Sequence, residues 1–338
     1  MSDKGINVPF AKDASMTMEG SHHVDHASKS NQDSRNLDTV LQNGLAGGVA
    51  GCAAKTVVAP LDRIRILFQT SHPHFSQYLT RWNGLIKATR DIQRTYGISA
   101  LFKGHSASLV RVFPYAGINF LAYEQFRAAI IISPEKETPL RRFLCGSMAG
   151  ATSTFVTYPL ELIRTRLAFE TVQKNPSTWL RISRNIYFEG GSGNLSSLYR
   201  GISPTMLGIL PYAGTSFLTH DLMRDWLRSP DLAPFALETQ SSTKLTALAQ
   251  LSCGAVAGIV AQTVSYPIDV IRRRMQVGSV VGAPLGIIQT ARRIFLERGV
   301  RGFYVGLTIG YAKMAPMVAT SFYVYDRTKR ALSARSRQ

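Results

Sequence analysis

The sequence predicts an all-α membrane protein made of three tandem repeats, each of which supplies two long helices. Three observations lead to this prediction. A glycine-rich apolar segment occurs three times, the same proline motif follows each copy, and a second glycine and proline follow at fixed distances. Self-similarity with a period of about 100 residues is typical of a repeat architecture.

Composition limits how the repeats are interpreted. The 338 residues are 45% hydrophobic and 18% charged, which suits a large soluble protein or a membrane protein that carries many charges. The formal net charge of +18 is compatible with nucleic acid, an anionic membrane surface or an anionic substrate. Cys52, Cys145 and Cys253 are odd in number and lie in apolar stretches, so we expect reduced packing residues.

Residues 1–38 are rich in Ser, Asp, Asn and His and contain no apolar run, which predicts a disordered tail. A cleavable mitochondrial presequence is rich in Arg and poor in acids, whereas five acids precede the first arginine of this chain, Arg35. We therefore expect internal targeting information. For His22, His23 and His26 we expect solvated side chains and no metal site.

The first element of each repeat is a G-x-x-x-G segment, whose small residues allow close helix contact. Nine residues after its last glycine, a proline opens a P-x-[DE]-x-x-R block. The three prolines are Pro60, Pro159 and Pro267. We expect a helix that runs from the glycine segment through the block and is kinked at the proline.

The second element is an [FY]-x-G sequence that precedes the second helix of the repeat. Ten residues beyond its glycine lies another proline, and nine more residues bring a block that combines an acid with a base. The glycines are Gly104, Gly201 and Gly306, and the prolines are Pro114, Pro211 and Pro316. Six spacings that agree across three copies are not expected by chance.

These elements divide the chain into repeats 39–132, 133–228 and 229–338, the last with a short C-terminal tail. Six helical segments follow, each long enough to cross a bilayer, which takes about 20 residues of helix. They lie near 40–69, 106–131, 139–170, 203–228, 243–277 and 307–331. The segments are amphipathic, so hydropathy alone under-predicts them. Their charges are tolerated when they face a water-filled cavity, which predicts one at the centre.

The connectors predict the orientation. The long connectors 71–105, 171–200 and 278–306 carry thirteen Lys and Arg against three acids. The short connectors 131–141 and 229–242 carry two bases against four acids. The positive-inside tendency therefore places the long connectors in the inner compartment.

The threefold P-x-[DE]-x-x-[KR] motif and the [FY]-[DE]-x-x-[RK] blocks that end the even helices resemble the mitochondrial carrier family over residues 40–331. Segments 59–69, 104–107, 111–117 and 216–222 look most like the coenzyme A carriers of that family. The resemblance implies a pseudo-threefold barrel of six tilted helices with three short helices on the matrix side. It also implies a multi-pass protein of the mitochondrial inner membrane that alternates access between two gates.

Charges at the helix ends predict the two gates. An acid and a base of neighbouring repeats can meet around a threefold ring and close one end of the cavity. The predicted matrix pairs are Asp62 with Arg164, Glu161 with Arg272, and Asp269 with Arg65. The predicted cytoplasmic pairs are Glu124 with Arg224, Asp221 with Lys329, and Asp326 with Arg127. The energies of the two rings are similar, so neither state need dominate.

Two positions depart from the family pattern. Gln69 and Gln276 match the glutamine that braces the matrix gate in the family, but repeat 2 has Ala168 there. His220 stands where the family usually has Phe or Tyr. We therefore expect one brace to be missing and another to be altered.

The predicted substrate site lies midway along the cavity, where residues break the threefold symmetry. Three residues before the even-helix prolines lie Arg111, Gly208 and Lys313, at the family's contact points. Arg111 and Lys313 suit phosphates, and the Gly208–Ile209 step leaves room for an adenine ring. Lys55 adds a third base. Arg274 belongs to an arginine run that resembles the run of adenine-nucleotide carriers.

These features predict a transporter of coenzyme A or a related adenosine phosphate that works by exchange, is not an enzyme, needs no cofactor and functions as a monomer. Cardiolipin is expected at Gly104, Gly201 and Gly306, because helix N-termini bind anions. An adenine nucleotide carrier of the ATP-Mg/phosphate type is the alternative, although the calcium loop of its regulated members is absent. A basic nucleic-acid-binding protein is the alternative from another class, but no nucleic-acid motif supports it.

Overall fold

The computed structural model describes residues 21–79, 83–131, 138–170, 179–189, 193–229, 245–282 and 285–335, and these residues are helical with short connections and no extended sheet. The helices are α1 (Ser21–Gln69), α2 (Gly84–Tyr96), α3 (His105–Ile130), α4 (Pro139–Phe169), α5 (Trp179–Tyr187), α6 (Ile202–Leu227), α7 (Ala247–Val281), α8 (Ile287–Arg298), α9 (Leu307–Ala312) and α10 (Met314–Arg335). The predicted all-α architecture of three helical repeats is confirmed.

Helix α1 begins earlier than the sequence predicts. Residues 21–38 were assigned to a disordered tail, whereas the structure has them in α1. No glycine or proline lies between Ser21 and Asn43, so no helix-breaking residue interrupts α1 in this segment. Residues 1–20 of the predicted tail lie outside the described residues.

The six repeated prolines have different consequences. Pro60, Pro159 and Pro267 lie inside α1, α4 and α7, and the first two even-helix prolines lie inside α3 and α6. Of the three even helices, only that of repeat 3 is divided, into α9 and α10. Pro316 has no N–H, so it cannot donate to the carbonyl of Ala312, where α9 ends.

The long helices form a closed ring. The most extensive contacts join the even helix of one repeat to the odd helix of the next, namely α3 to α4 and α6 to α7, and α10 returns to pack against α1. Within the repeats, α1 contacts α3, α4 contacts α6, and α7 contacts α9. Repeat 3 therefore closes on repeat 1, as a threefold arrangement requires.

The short helices α2, α5 and α8 pack against the odd helix of their own repeat. Each is amphipathic and buries an isoleucine against that helix: Ile92, Ile186 and Ile294. Each short helix thus lies beside the C-terminal half of the odd helix of its own repeat.

Two described helices contain a stretch that is long and apolar enough to cross a membrane, Gly44–Gln69 and Ala249–Gly278. The other long helices are less apolar, in line with their amphipathic sequences. Their outer faces still expose large apolar side chains at equivalent positions, for example Phe120, Phe217 and Phe322. Such an exposed apolar belt is typical of a surface that contacts lipid.

Candidate functional site

A ring of ion pairs lies where the C-terminal halves of α1, α4 and α7 converge. The structure brings each motif acid next to the base that the repeat alignment assigns to it. Arg164 Nη2 is 2.9 Å from Asp62 Oδ2, Arg65 Nη2 is 3.9 Å from Asp269 Oδ2, and Arg272 contacts the Glu161 carboxylate. Each pair joins two repeats, so the ring closes one end of the bundle.

The three acids of the ring do not have equivalent surroundings. Glu161 is only 3% exposed and also faces Arg111 Nη1 at 3.0 Å and Arg273 Nη2 at 3.4 Å. Asp62 accepts a further hydrogen bond from Lys313 Nζ at 2.8 Å. A buried carboxylate needs such compensation. Arg111 and Lys313, which the sequence assigns to a substrate, therefore contact gate acids in this structure.

The two glutamines lie directly beside this ring. Gln276 is fully buried, donates to the Tyr158 hydroxyl at 3.1 Å and accepts from Arg273 Nη1 at 3.0 Å. Gln69 is 2% exposed and holds the equivalent position of repeat 1. The bond between Gln276 and Tyr158 joins repeat 3 to repeat 2, so this glutamine ties two repeats together.

A cavity of about 610 Å³ lies next to the ring. Four of the predicted substrate residues line it: Lys55, Arg111, Gly208 and Ile209. Arg111 is held in place by Thr157 Oγ1 at 3.1 Å and by the Tyr115 ring, whose centroid is 5.1 Å from the guanidinium carbon. Lys313 instead lines a smaller cavity of about 170 Å³ at the level of the ion pairs.

Two tyrosines of the cavity wall were missed by the sequence reasoning. Tyr115 and Tyr212 line the cavity, and each directly follows an even-helix proline. The third repeat has Met317 at this position. This break in the threefold pattern is the signal by which they can be found.

Arg274 does not lie in this cavity. Its Nη1 is 2.5 Å from Glu297 Oε2, and its Nη2 donates to Ser71 Oγ at 2.6 Å, beside a separate cavity of about 390 Å³. Successive residues of an α-helix are rotated by about 100°, so Arg274 points away from the direction of Arg272. The structure therefore removes Arg274 from the predicted substrate contacts.

The predicted cytoplasmic pairs are not formed among the described residues. No ion pair joins Glu124 to Arg224, Asp221 to Lys329, or Asp326 to Arg127 in this part of the chain; Asp326 instead pairs with Arg330 of its own helix at 2.7 Å. One end of the ring of helices is thus closed by ion pairs, while none of the three predicted pairs forms at the other end in the described part of the chain.

Gly104, Gly201 and Gly306 are the N-caps of α3, α6 and α9, with φ angles of +82°, +83° and +81°. This left-handed conformation favours glycine. A Cβ on Gly104 would also lie 2.8 Å from the carbonyl oxygen of Arg164. The glycines thus set the close approach of each even helix to the neighbouring odd helix.

Comparisons with known proteins agree with this geometry. The profile of the family described as "Mitochondrial carrier protein" matches residues 36–133, 135–231 and 243–336. The chain is 44% identical to mitochondrial carrier protein LEU5 of Saccharomyces cerevisiae, over 89% of this chain and 93% of that protein. It is 38% identical to human solute carrier family 25 member 16, over 86% and 87% of the two chains.

The name of a third relative states a substrate. The chain is 38% identical to the mitochondrial coenzyme A transporter SLC25A42 of Xenopus tropicalis, over 93% of this chain and 92% of that protein. The family profile covers all three repeats, and the members it describes are transporters. This chain belongs to the mitochondrial carrier family.

Proposed function

We propose that this carrier exchanges coenzyme A, or a closely related adenosine phosphate, across the mitochondrial inner membrane by alternating access. The observation that carries the proposal is the cavity in which Lys55 and Arg111 face the Gly208–Ile209 step beside the ion-pair ring. This arrangement offers cations for phosphates and a small apolar surface for a base. The name of the SLC25A42 relative supports the same substrate class.

The charge around the cavity favours a multiply charged anion. Seven bases outnumber three acids in the cavity and the ring: Lys55, Arg65, Arg111, Arg164, Arg272, Arg273 and Lys313 against Asp62, Glu161 and Asp269. A substrate with several phosphate charges can compensate this excess.

The contacts of Arg111 and Lys313 couple substrate binding to the gate. Arg111 Nη1 lies 3.0 Å from Glu161 Oε2, yet that oxygen accepts no hydrogen bond, so the attraction is electrostatic without optimal geometry. A phosphate with better geometry competes for Arg111. A substrate that also binds Lys313 removes this cation from Asp62. Glu161 and Asp62 then each lose one cation, which weakens the ring on this side.

The conformation supports alternating access. The ion pairs that we assign to the matrix gate are formed, while the three predicted outer pairs are not formed among the described residues, as expected for a carrier open to the cytoplasmic side. Formation of the outer pairs at the expense of the inner ones exposes the cavity to the other side. We propose that the six long helical segments of the three repeats form the membrane-spanning barrel. The exposed apolar side chains on their outer faces then contact lipid.

Exchange in liposomes tests the function. Purified carrier in cardiolipin-containing liposomes loaded with coenzyme A should take up labelled coenzyme A, and liposomes loaded with ATP should support less uptake. Empty liposomes are the control for net leakage. Fast ATP exchange with no coenzyme A exchange would instead establish the adenine nucleotide alternative.

A further inference from the structure

Two of the three junctions between repeats have a tyrosine and a glutamine at equivalent positions. At the junction of repeats 2 and 3, Gln276 donates to the Tyr158 hydroxyl, and at the junction of repeats 3 and 1 the same positions hold Gln69 and Tyr266. Each tyrosine directly precedes the proline of its motif. The bond between Gln276 and Tyr158 therefore ties the end of one odd helix to the kink of its neighbour.

The junction of repeats 1 and 2 cannot make this contact. The equivalent positions hold Ala59 and Ala168, which are 7% and 2% exposed. Two methyl groups form no hydrogen bond. The ion pair between Asp62 and Arg164 nevertheless spans this junction at 2.9 Å, so another contact must hold the two helices in register.

Arg63 makes such a contact between α1 and the end of α4 at this junction. Its side chain is 2% exposed, its Nε donates to the carbonyl of Ala168 at 3.2 Å, and its Nη2 donates to the carbonyl of Glu170 at 3.1 Å. The corresponding residues of repeats 2 and 3 are Leu162 and Val270, which have no donors. An arginine holds this motif position only in repeat 1. At the junction of repeats 2 and 3, a different arginine, Arg166, donates its Nε to the carbonyl of Gln276.

The end of α4 suits this contact. The last carbonyls of a helix lack intrahelical donors, and a cation near a helix C-terminus is favourable. A guanidinium group carries several donors in a fixed plane and can serve two carbonyls at once. No carboxylate pairs with Arg63 within the described ranges, so these carbonyls are the anchor that the structure shows for its buried charge.

We propose that Arg63 is a positioning residue of the matrix gate, which braces the junction of repeats 1 and 2 in place of the missing tyrosine–glutamine pair. The inference rests on the gating role proposed for the ion-pair ring. Arg63 directly follows Asp62, so its attachment to α4 keeps that acid beside Arg164. Parting of the matrix ends of α1 and α4 breaks both carbonyl bonds, and the brace therefore favours the matrix-closed state.

The test removes the arginine contact at the junction of repeats 1 and 2 and then introduces a tyrosine–glutamine pair at the same junction. Arg63→Leu introduces the residue that repeat 2 has at this position and should lower the melting temperature of the purified carrier by several degrees. Ala59→Tyr with Ala168→Gln in the Arg63→Leu background should restore it, because the pair then resembles Tyr158 and Gln276. Arg90→Leu, which changes an exposed arginine of α2, is the matched control and should leave the melting temperature unchanged.

A second readout separates a brace from a packing residue. Arg63→Leu should change the maximal exchange rate while the KM stays close to wild type, and the tyrosine–glutamine pair should reverse the change. An unchanged melting temperature, a failed rescue, or a wild-type exchange rate in Arg63→Leu would each overturn the proposal. The thermal measurement needs no substrate, so a wild-type carrier that does not exchange coenzyme A contradicts the proposed substrate alone.

Discussion

At the scale of single residues, Arg111 and Lys313 can each pair either with a substrate anion or with an acid of the ring. Arg111 and Lys313 were assigned to a substrate because they break the threefold symmetry, and in this structure they contact Glu161 and Asp62. Both observations are compatible, since an anion can replace a carboxylate as the partner of a base. Binding of substrate to these two residues then removes partners from the gate acids and so changes the ion pairs of the gate.

Arg111→Ala and Lys313→Ala should each raise the KM for coenzyme A more than tenfold. Each change removes a charge-assisted hydrogen bond to a phosphate, which contributes about 1.5–3 kcal/mol. Arg274→Ala is the control, because Arg274 lines neither the cavity of Arg111 nor the smaller cavity of Lys313, and it should leave the KM near the wild-type value. Initial rates of labelled uptake over a range of concentrations measure both, and an unaltered KM in the Arg111 and Lys313 variants would contradict the site.

At the scale of elements, the glycine before each even helix has a defined structural role. Gly104→Ala places a Cβ 2.8 Å from the Arg164 carbonyl oxygen on a backbone with a φ of +82°. We expect a loss of stability of about 1–3 kcal/mol, the usual size of such backbone strain. Gly306→Ala is a useful comparison, because its φ of +81° and ψ of 9° are close to those of Gly104, while its Cβ would lie 3.2 Å from the Tyr266 hydroxyl oxygen. The difference between the two melting temperatures isolates the contact, and equal shifts would argue against it.

The same helix N-termini are proposed to bind cardiolipin. Their free amides point out of α3 and α6, and a helix N-terminus attracts anions. Cardiolipin should therefore raise the melting temperature of the carrier in detergent, and an equal amount of a neutral phospholipid should raise it less. If both lipids stabilise the protein equally, the headgroup charge is not what is recognised.

At the scale of the whole molecule, the ring of ion pairs joins the three repeats into one closed unit. Its function as a gate is testable by charge exchange. Glu161→Arg should impair exchange strongly, because the new cation faces Arg111, Arg272 and Arg273. Adding Arg272→Glu should recover part of the rate, because it restores one pair across the junction.

The control for this cycle uses the base of the same repeat. Arg164 pairs with Asp62 and not with Glu161, so Glu161→Arg with Arg164→Glu should remain impaired. Exchange rates of the wild type, the single variants Glu161→Arg and Arg272→Glu, and their double variant give the coupling energy directly. Recovery with Arg164→Glu in place of Arg272→Glu would refute the pairing around the ring.

The sequence alone determined the repeated architecture, and the family resemblance then implied the partners around the ring. Fixed spacings place the acid and base of each proline block on one helix face, and the threefold ring of the family pairs each acid with a base of the neighbouring repeat. The glycines before the even helices were located from the same spacings. Local periodicity is sufficient for these features because it fixes the direction of a side chain relative to its own helix.

Only the tertiary structure decided which side chains meet where the repeats differ. It turned Arg274 toward Glu297, placed Arg111 against Glu161, and set Arg63 on the carbonyls at the end of α4. Contacts between helices depend on their tilt, their crossing and the side chains packed between them, and no pattern within one helix encodes these quantities. The threefold repeat therefore predicted the symmetric frame, while the packing of unequal residues in that frame decided the substrate cavity and its brace.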